Sequence, residues 1–491
     1  MVALDGTIVL IAQPAIQRSL DASLQQAQWV TTGYLLAVGT FLVIAGGFGD
    51  RIGNRRAFLI GVTGFTLTSG LIAGVGDIWW LIGLRVAQGL FGAILQPTTL
   101  GLLRETFPGE RLDMPIAIRS AAIGVSTAAG PVVGGLLVQH VSWRAVFLIN
   151  VPLGLLTILL GAVVLRRRPA PGLRPAAKGR FDLAGAALLA AFLFAVFFSV
   201  GKITVYGALT FRSVVLAGVV ITLAMLFTLR EARAPAPLVP LTLFQSSNLV
   251  VGILLVISFS FAMMGTLFIT SYYVQNKLGL DPVQSGIHVL PLTATMIVAA
   301  PLSGYFMRYC GARIIVSVGL ALTAGAVFGL SRLGQTVSPA RLSLLLLVLG
   351  LGIAPALVGT TKIIVGNAPP SVGSLAGGLH QTGMQVGSAI GIAVMGTMLS
   401  DRADQLLRAT LARAAGGHVS QGFLTQALTD VAAGRHRPIP HTPPELAKTW
   451  SALSESIFMH AFSYALLAGV VMALTGAVVA LVGVSSQRPL H

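Results

Sequence analysis

Along the chain, continuous apolar runs of about 20 residues are separated by short polar segments. An α-helix rising 1.5 Å per residue needs about 20 residues to cross ~30 Å of hydrocarbon. The strands of a membrane barrel would be about half as long, with every second position polar. The pattern therefore predicts an all-α membrane protein. Fourteen spans are expected, at residues 2–17, 29–49, 57–75, 78–103, 115–139, 145–165, 182–200, 212–229, 249–272, 286–307, 313–332, 341–365, 376–399 and 460–483. The first is short and no cation precedes it, so it is expected to be truncated at its N-terminal end. It lacks the charged start and small-residue cleavage pattern of a secretory signal.

Composition agrees with the pattern. Of 491 residues 55% are hydrophobic and 10% charged, too few charges to cover a water-exposed surface of that size. Fifty-seven glycines suit close helix contact in lipid. The formal charge of +17 does not point to nucleic acid, because the cations lie in the loops between spans. Arg51, Arg55, Arg56, Arg104, Arg111, Arg166, Arg167, Arg168, Arg230 and Arg233 fall on one side. The short loops of the other side carry single cations such as Arg18, Arg144 and Lys202. By the positive-inside rule both termini are cytoplasmic, and the bilayer is the cell's inner membrane, with lipids as partners. The single cysteine, Cys310, excludes an internal disulfide and offers no metal or redox site.

The sequence also repeats. A displacement of 258 residues superposes Gly46 on Gly304, Gly53 on Gly311, Arg55 on Arg313, Gly61 on Gly319, Gly92 on Gly350 and Pro97 on Pro355. Two six-helix bundles are implied, residues 1–168 and 249–491, with a basic linker and two inserted helices between them at 169–248. Paired halves with a site at their interface are the architecture of secondary transporters. The 166–181 stretch reads as a topological signal, not a dedicated lipid site. An outer loop is expected at 401–459; its His418, His436 and His441 match no metal-ligand spacing, so no metal is expected.

One residue demands a chemical explanation. Asp5 places a carboxylate within an apolar run, which costs several kcal/mol unless the group is protonated, paired or facing a wet cavity. Every other acid falls near the inner or outer ends of the spans, leaving Asp5 alone in the core.

Several stretches resemble the major facilitator superfamily and, within it, the fourteen-span drug/proton antiporters (the EmrB/QacA-like group). Leu4, Asp5, Thr7, Ile8, Val9, Ala12 and Pro14 match the group's first-span signature, with Leu10 where Asn is usual. Gly46-Gly47-Phe48-Gly49-Asp50-Arg51-Ile52-Gly53-Asn54-Arg55-Arg56 is similar to the superfamily loop between spans 2 and 3. The resemblance makes Gly46, Asp50, Arg51, Gly53, Arg55 and Arg56 a cytoplasmic gate. Leu81 to Gly89 resembles the span 4 motif, whose Arg85 is then linked to proton coupling, with Gln88 one turn on. Ser126 to Leu136 resembles the span 5 antiporter motif, here Gly130, Pro131, Gly134 and Gly135. Trp143 to Gly154 looks like the entry to span 6. The second half matches less tightly, at Tyr272 to Pro291 and Gly377 to Gly387, and Arg308 stands where the first copy has Asp50.

What the resemblance implies is proton-coupled efflux of small lipophilic compounds by a monomer, with no cofactor beyond the proton gradient and no enzymatic step. Export of one endogenous metabolite, or a sensor on the same fold, are the alternatives. Arg85 lies near enough to Asp5 in depth to be its partner, and Asp5 is expected to carry the proton. Gln13, Gln88, Gln96, Met263, Met264, Gln381 and Met384 are expected to line the substrate cavity, with neutral or singly charged compounds preferred.

Overall fold

The computed structural model describes residues 1–22, 24–107, 109–164, 182–206, 210–274, 282–334, 339–369, 372–414, 421–432 and 450–484. Among these the chain is helical, with no strand. The first half comprises α1 (Val2–Ser19), α2 (Leu24–Ile52), α3 (Asn54–Ala73), α4 (Ile78–Thr106), α5 (Asp113–His140), α6 (Ala145–Leu148) and α7 (Asn150–Val164). An inserted pair follows, α8 (Leu183–Tyr206) and α9 (Phe211–Arg233). The second half comprises α10 (Ser247–Tyr272), α11 (Pro282–Ser331), α12 (Pro339–Asn367), α13 (Gly373–Ala414), α14 (Gln421–Ala432) and α15 (Trp450–Gly483).

Twelve described segments are long and apolar enough to cross a bilayer, so this is a multi-pass membrane protein. One of the twelve, Leu290–Ser331, has 42 residues, about twice the length a span requires. It is broken at Gly311. Counting its two arms separately, and adding the 18-residue α1, is compatible with the fourteen spans expected.

The break has a counterpart. Gly53, between α2 and α3, has φ +91°, and Gly311 has φ +75°; these are the positive-φ glycines among the described residues. They are also matched by the 258-residue repeat. An L-side chain is strained in that region, so both corners need glycine. Gly61 packs on Leu95 of α4, and its repeat-mate Gly319 packs on the Gly352 and Ala356 backbone of α12, so the α3/α4 contact recurs as α11/α12.

Local chemistry ends the helices where the spans end. Asp77 Oδ1 accepts hydrogen bonds from the Trp79 and Trp80 amides at 2.9 and 3.1 Å, capping α4. Thr210 caps α9 through the Ser213 amide. Within spans, hydroxyls such as Thr66, Ser69, Thr360 and Thr361 donate to the carbonyl four residues back, which hides them from lipid.

The largest buried cluster is built from α10 to α15, and separate clusters serve the first half. The two meet along α2/α13, α4/α13 and α5/α11. The inserted α8 packs on both α2 and α13, and α9 packs on α8 with most of its apolar side chains facing outward. The expected outer loop is helical where it is described: α13 runs to Ala414, α14 follows, and α15 begins at Trp450. Phe423 and Trp450, with ring centroids 5.4 Å apart, join the last two. The basic linker at 166–181 and the histidines 418, 436 and 441 lie outside the described residues.

Candidate functional site

Asp5 and Arg85 form an ion pair, Nη1 to Oδ2 2.6 Å, with both side chains fully buried. Such a pair survives only if its remaining donors and acceptors are met. Asp5 Oδ1 accepts from Asn150 Nδ2 at 2.9 Å and, more loosely, from Gln88 Nε2 at 3.4 Å. Arg85 Nε donates to the Val30 carbonyl at 3.1 Å, and its Nη1 also reaches Gln88 Oε1 at 2.6 Å. Gln88 Nε2 in turn donates to Ser69 Oγ at 2.6 Å. The guanidinium lies 4.0 Å from the Tyr34 ring centroid and 5.6 Å from that of Phe147. Stacking of this kind favours arginine over lysine. Six helices of the first half (α1, α3, α4, α7 and, through Tyr34 and Phe147, α2 and α6) thus converge on this ion pair.

Glycines in α5 bring α1 there. A Cβ on Gly130 would overlap the Thr7 side chain, and one on Gly134 would sit 2.8 Å from Ile8 Cγ1 and 3.1 Å from the Ile8 carbonyl. The close α1/α5 contact is therefore set by the small residues. Pro131 lies in the same helix and Gly135 is half-buried on it.

A cavity of about 500 Å³ lies between the halves. Gln96, Met264, Gln381 and Met384, all expected there, line it. Gln96 and Gln381 bond to each other across the halves through Oε1 and Nε2. The cavity reading is corrected at three positions. Gln88 is consumed by the ion-pair pocket. Met263 is buried in the core of the second half, because neighbouring helical positions differ by about 100° and only Met264 faces inward. Gln13, two turns along α1 from Asp5, is not among the lining residues. Nor does the cavity reach Asp5: Tyr34, 2% exposed, lines it and stacks on Arg85 behind.

At the end of the bundle that carries Gly46 to Arg56, the halves are bonded together. Asp50 accepts from the Ser374 and Leu375 amides at 2.9 and 2.7 Å, so a carboxylate of α2 caps the start of α13. A Cβ on Gly46 would sit 2.6 Å from the Ser374 carbonyl, and one on Gly378 would sit 2.7 Å from the Leu42 carbonyl. Arg51 donates to the Ala236 and Pro237 carbonyls at 3.2 and 3.3 Å, tying the gate to the segment after the inserted pair. Gly53 makes the corner, and Arg55 and Arg56 face outward at the start of α3. Asn54 donates to Glu105 at 2.7 Å. Arg104 donates to the Gly366 carbonyl at 2.9 Å and also to that of Ala368, and Lys362 pairs with Asp113 at 2.5 Å. In the second copy Arg308 is exposed, 5.0 Å from the Tyr305 ring centroid, and reproduces none of this.

Three further residues belong to the site. Asn150 and Ser69 complete the ion-pair pocket; Asn150 is the one amide side chain in the run from Ala145 to Val164, and that was its signal. Arg119 lines the cavity from α5, a cation four residues inside an expected span. No group of His, Cys, Asp and Glu that could hold a metal occurs among the described residues.

Repeated halves of membrane helices, a cavity between them and a buried ion pair beside it define a transporter, not an enzyme. The chain belongs to the Major Facilitator Superfamily, whose family model matches residues 1–392. It is 43% identical to the tetracenomycin C resistance and export protein of Streptomyces glaucescens, over 98% of this chain and 89% of that one. It is 32% identical to the multidrug resistance protein Stp of Mycobacterium tuberculosis, again over 98% of this chain and 89% of the relative. In fold it is similar to a bacterial homologue of the lysosomal transporter Spinster, with TM-score 0.53 at 14% identity, covering 99% of this chain and 96% of that one.

Proposed function

We propose that this protein exports small lipophilic compounds across the cytoplasmic membrane in exchange for protons, as a monomer with both termini inside and no cofactor. The observation that carries the reading is Asp5, a fully buried carboxylate paired with Arg85, whose guanidinium stacks on Tyr34 of the cavity wall. In this account the halves 1–168 and 249–491 rock about the cavity, with 169–248 as an inserted strap. The separate hydrophobic cores of the two halves support that division. The contacts of Asp50, Arg104 and Lys362 close the cytoplasmic side. When they part, the bundle tilts, and the ion pair is remade with a proton on Asp5 or without one.

Between many drugs and one compound, the relative at 43% identity favours one, since it is named for resistance to a single antibiotic. Narrow-spectrum export is therefore the preferred form of the reading. Purified protein in proteoliposomes tests it: Asp5→Asn should fold but lose efflux driven by a pH gradient. Retained antiport would show that the proton is carried elsewhere.

A further inference from the structure

The central cavity contains a cation that the ion-pair pocket does not use. Arg119 lies in α5, lines the cavity, and among the described residues makes one hydrogen bond, a long one of 3.5 Å from Nη2 to the Gln96 carbonyl. Among the described residues, no aspartate or glutamate lines the cavity. Two buried acids of the first half are engaged elsewhere: Asp5 with Arg85, and Asp113 with Lys362 at 2.5 Å. A guanidinium inside a membrane bundle without an opposing charge is costly. Its planar fork suits a delocalised oxyanion better than a point charge.

The surroundings continue the argument. Gln96, Gln381 and Ser126 add neutral polar groups to the same lining, while Met264, Met384 and Leu357 give the remaining wall an apolar, adaptable surface. His380, fully buried, bonds Gln381 and Thr361 at 3.2 and 3.0 Å and holds the Gln381 amide in place. Among the described side chains, the walls therefore present one positive charge, Arg119, and several neutral polar groups on an otherwise apolar surface. A lipophilic cation gains nothing from this arrangement. An aromatic or aliphatic compound bearing one ionised carboxyl or phenol gains a charge-assisted hydrogen bond and neutralises the cavity.

We propose that the transported compound is a lipophilic anion, and that Arg119 is the residue that binds its oxyanion. The proposal rests on the efflux reading above and names its substrate class. Exporting an anion while admitting a proton moves two charges in the same electrical sense, so turnover should quicken with a membrane potential negative inside.

Equilibrium binding decides the matter without any gradient, and so separates it from the Asp5→Asn transport test. The full chain in lipid nanodiscs is titrated with 9-anthracenecarboxylate, its neutral methyl ester and the cation 9-anthracenemethylammonium, with empty nanodiscs subtracted. The acid should bind at least about tenfold tighter than the ester, as expected for one hydrogen bond to a charged group, and the ammonium weakest. Arg119→Gln should bring the acid to the level of the ester, and Arg119→Lys should restore part of the preference, with folding checked by the ligand-free thermal midpoint. Equal binding of acid and ester, binding of neither, or a preference that survives Arg119→Gln overturns the proposal. Should Arg119→Gln fail to fold, the wild-type ratio and Arg119→Lys decide it.

Discussion

Removing the Asp50 carboxylate should loosen the end of the bundle at which it bonds the two halves together. Its two hydrogen bonds, 2.9 and 2.7 Å to the Ser374 and Leu375 amides, join one half to the other and sit on the positive end of α13. A hydrogen bond to a charged group is worth about 1.5 to 3 kcal/mol. Because Asp50 regains water when the gate opens, the lower value is the better guide, giving about 3 kcal/mol for the pair. At 1.4 kcal/mol per tenfold, Asp50→Ala should shift the balance between closed and open by roughly a hundredfold. Asp50→Asn keeps one neutral acceptor and should shift it by roughly tenfold. The measurement is a spin-label distance between Arg56→Cys and Pro369→Cys, both exposed at that end and on opposite halves, in a Cys310→Ser background. The distribution should move to longer values in the order wild type, Asn, Ala. An unchanged distribution in both variants would refute the latch, and would mean that Arg104 and the Lys362–Asp113 pair hold the gate without it.

Two further outcomes can be checked alongside the Asp5 and Arg119 experiments. Gly134→Ala puts a methyl 2.8 Å from Ile8 Cγ1 and 3.1 Å from the Ile8 carbonyl. It should push α1 off α5 and lower thermal stability by about 1 to 3 kcal/mol, as overpacking does, with pH-gradient efflux falling in parallel; wild-type stability and rate would contradict the packing role. Asp182, just before α8, caps that helix through the Gly185 amide at 3.0 Å and pairs with Arg230 at 2.9 Å. The Arg230 hydrogen bond holds its carboxyl below the usual carboxylate value. A depressed folded value means that the pairing is fully present above the unfolded value of about 3.9 and is lost as pH falls through the lower folded one. Amide exchange in α8, corrected for intrinsic rates, should therefore be level from pH 8 to pH 5 and rise only below about pH 4. A rise already near pH 6 would count against the pairing.

The sequence made Asp5 legible because a carboxylate deep in an apolar run has few explanations, and a census of fifteen acids isolates it. Arg85 followed from the resemblance of Leu81 to Gly89 to the span 4 motif, supported by its depth. Asn150 and Ser69 did not, since an amide or hydroxyl in a span can satisfy itself against its own helix, as Ser69 also does through the Phe65 carbonyl. Of the residues expected at the cavity, some line it and some do not, for a geometric reason. Composition finds polar or soft positions, but which face of a helix looks inward depends on its rotation, and Met263 and Met264 fall on opposite sides of that choice. Arg119 was passed over because attention to loops and acids leaves a lone cation inside a span uncounted. The fold itself was plain from run length, and the Gly53/Gly311 correspondence surfaced as one backbone conformation used twice.

The bonds that join the halves at the Asp50 end are unevenly written into the gene. Asp50 addresses amides, and Arg51 and Arg104 address carbonyls, so the receiving partners on α13, on α12 and at Ala236 and Pro237 are all main chain. For these three side chains, any second half that starts a helix near 373 and ends one near 367 can serve. Apart from Lys362, which pairs with Asp113, and Gly378, which lies against the Leu42 carbonyl, the second half can change its side chains at this end without losing those bonds. Chimeras that join this first half to a second half from a distant relative should still close, whereas the reciprocal graft, with a first half lacking these three side chains, should not.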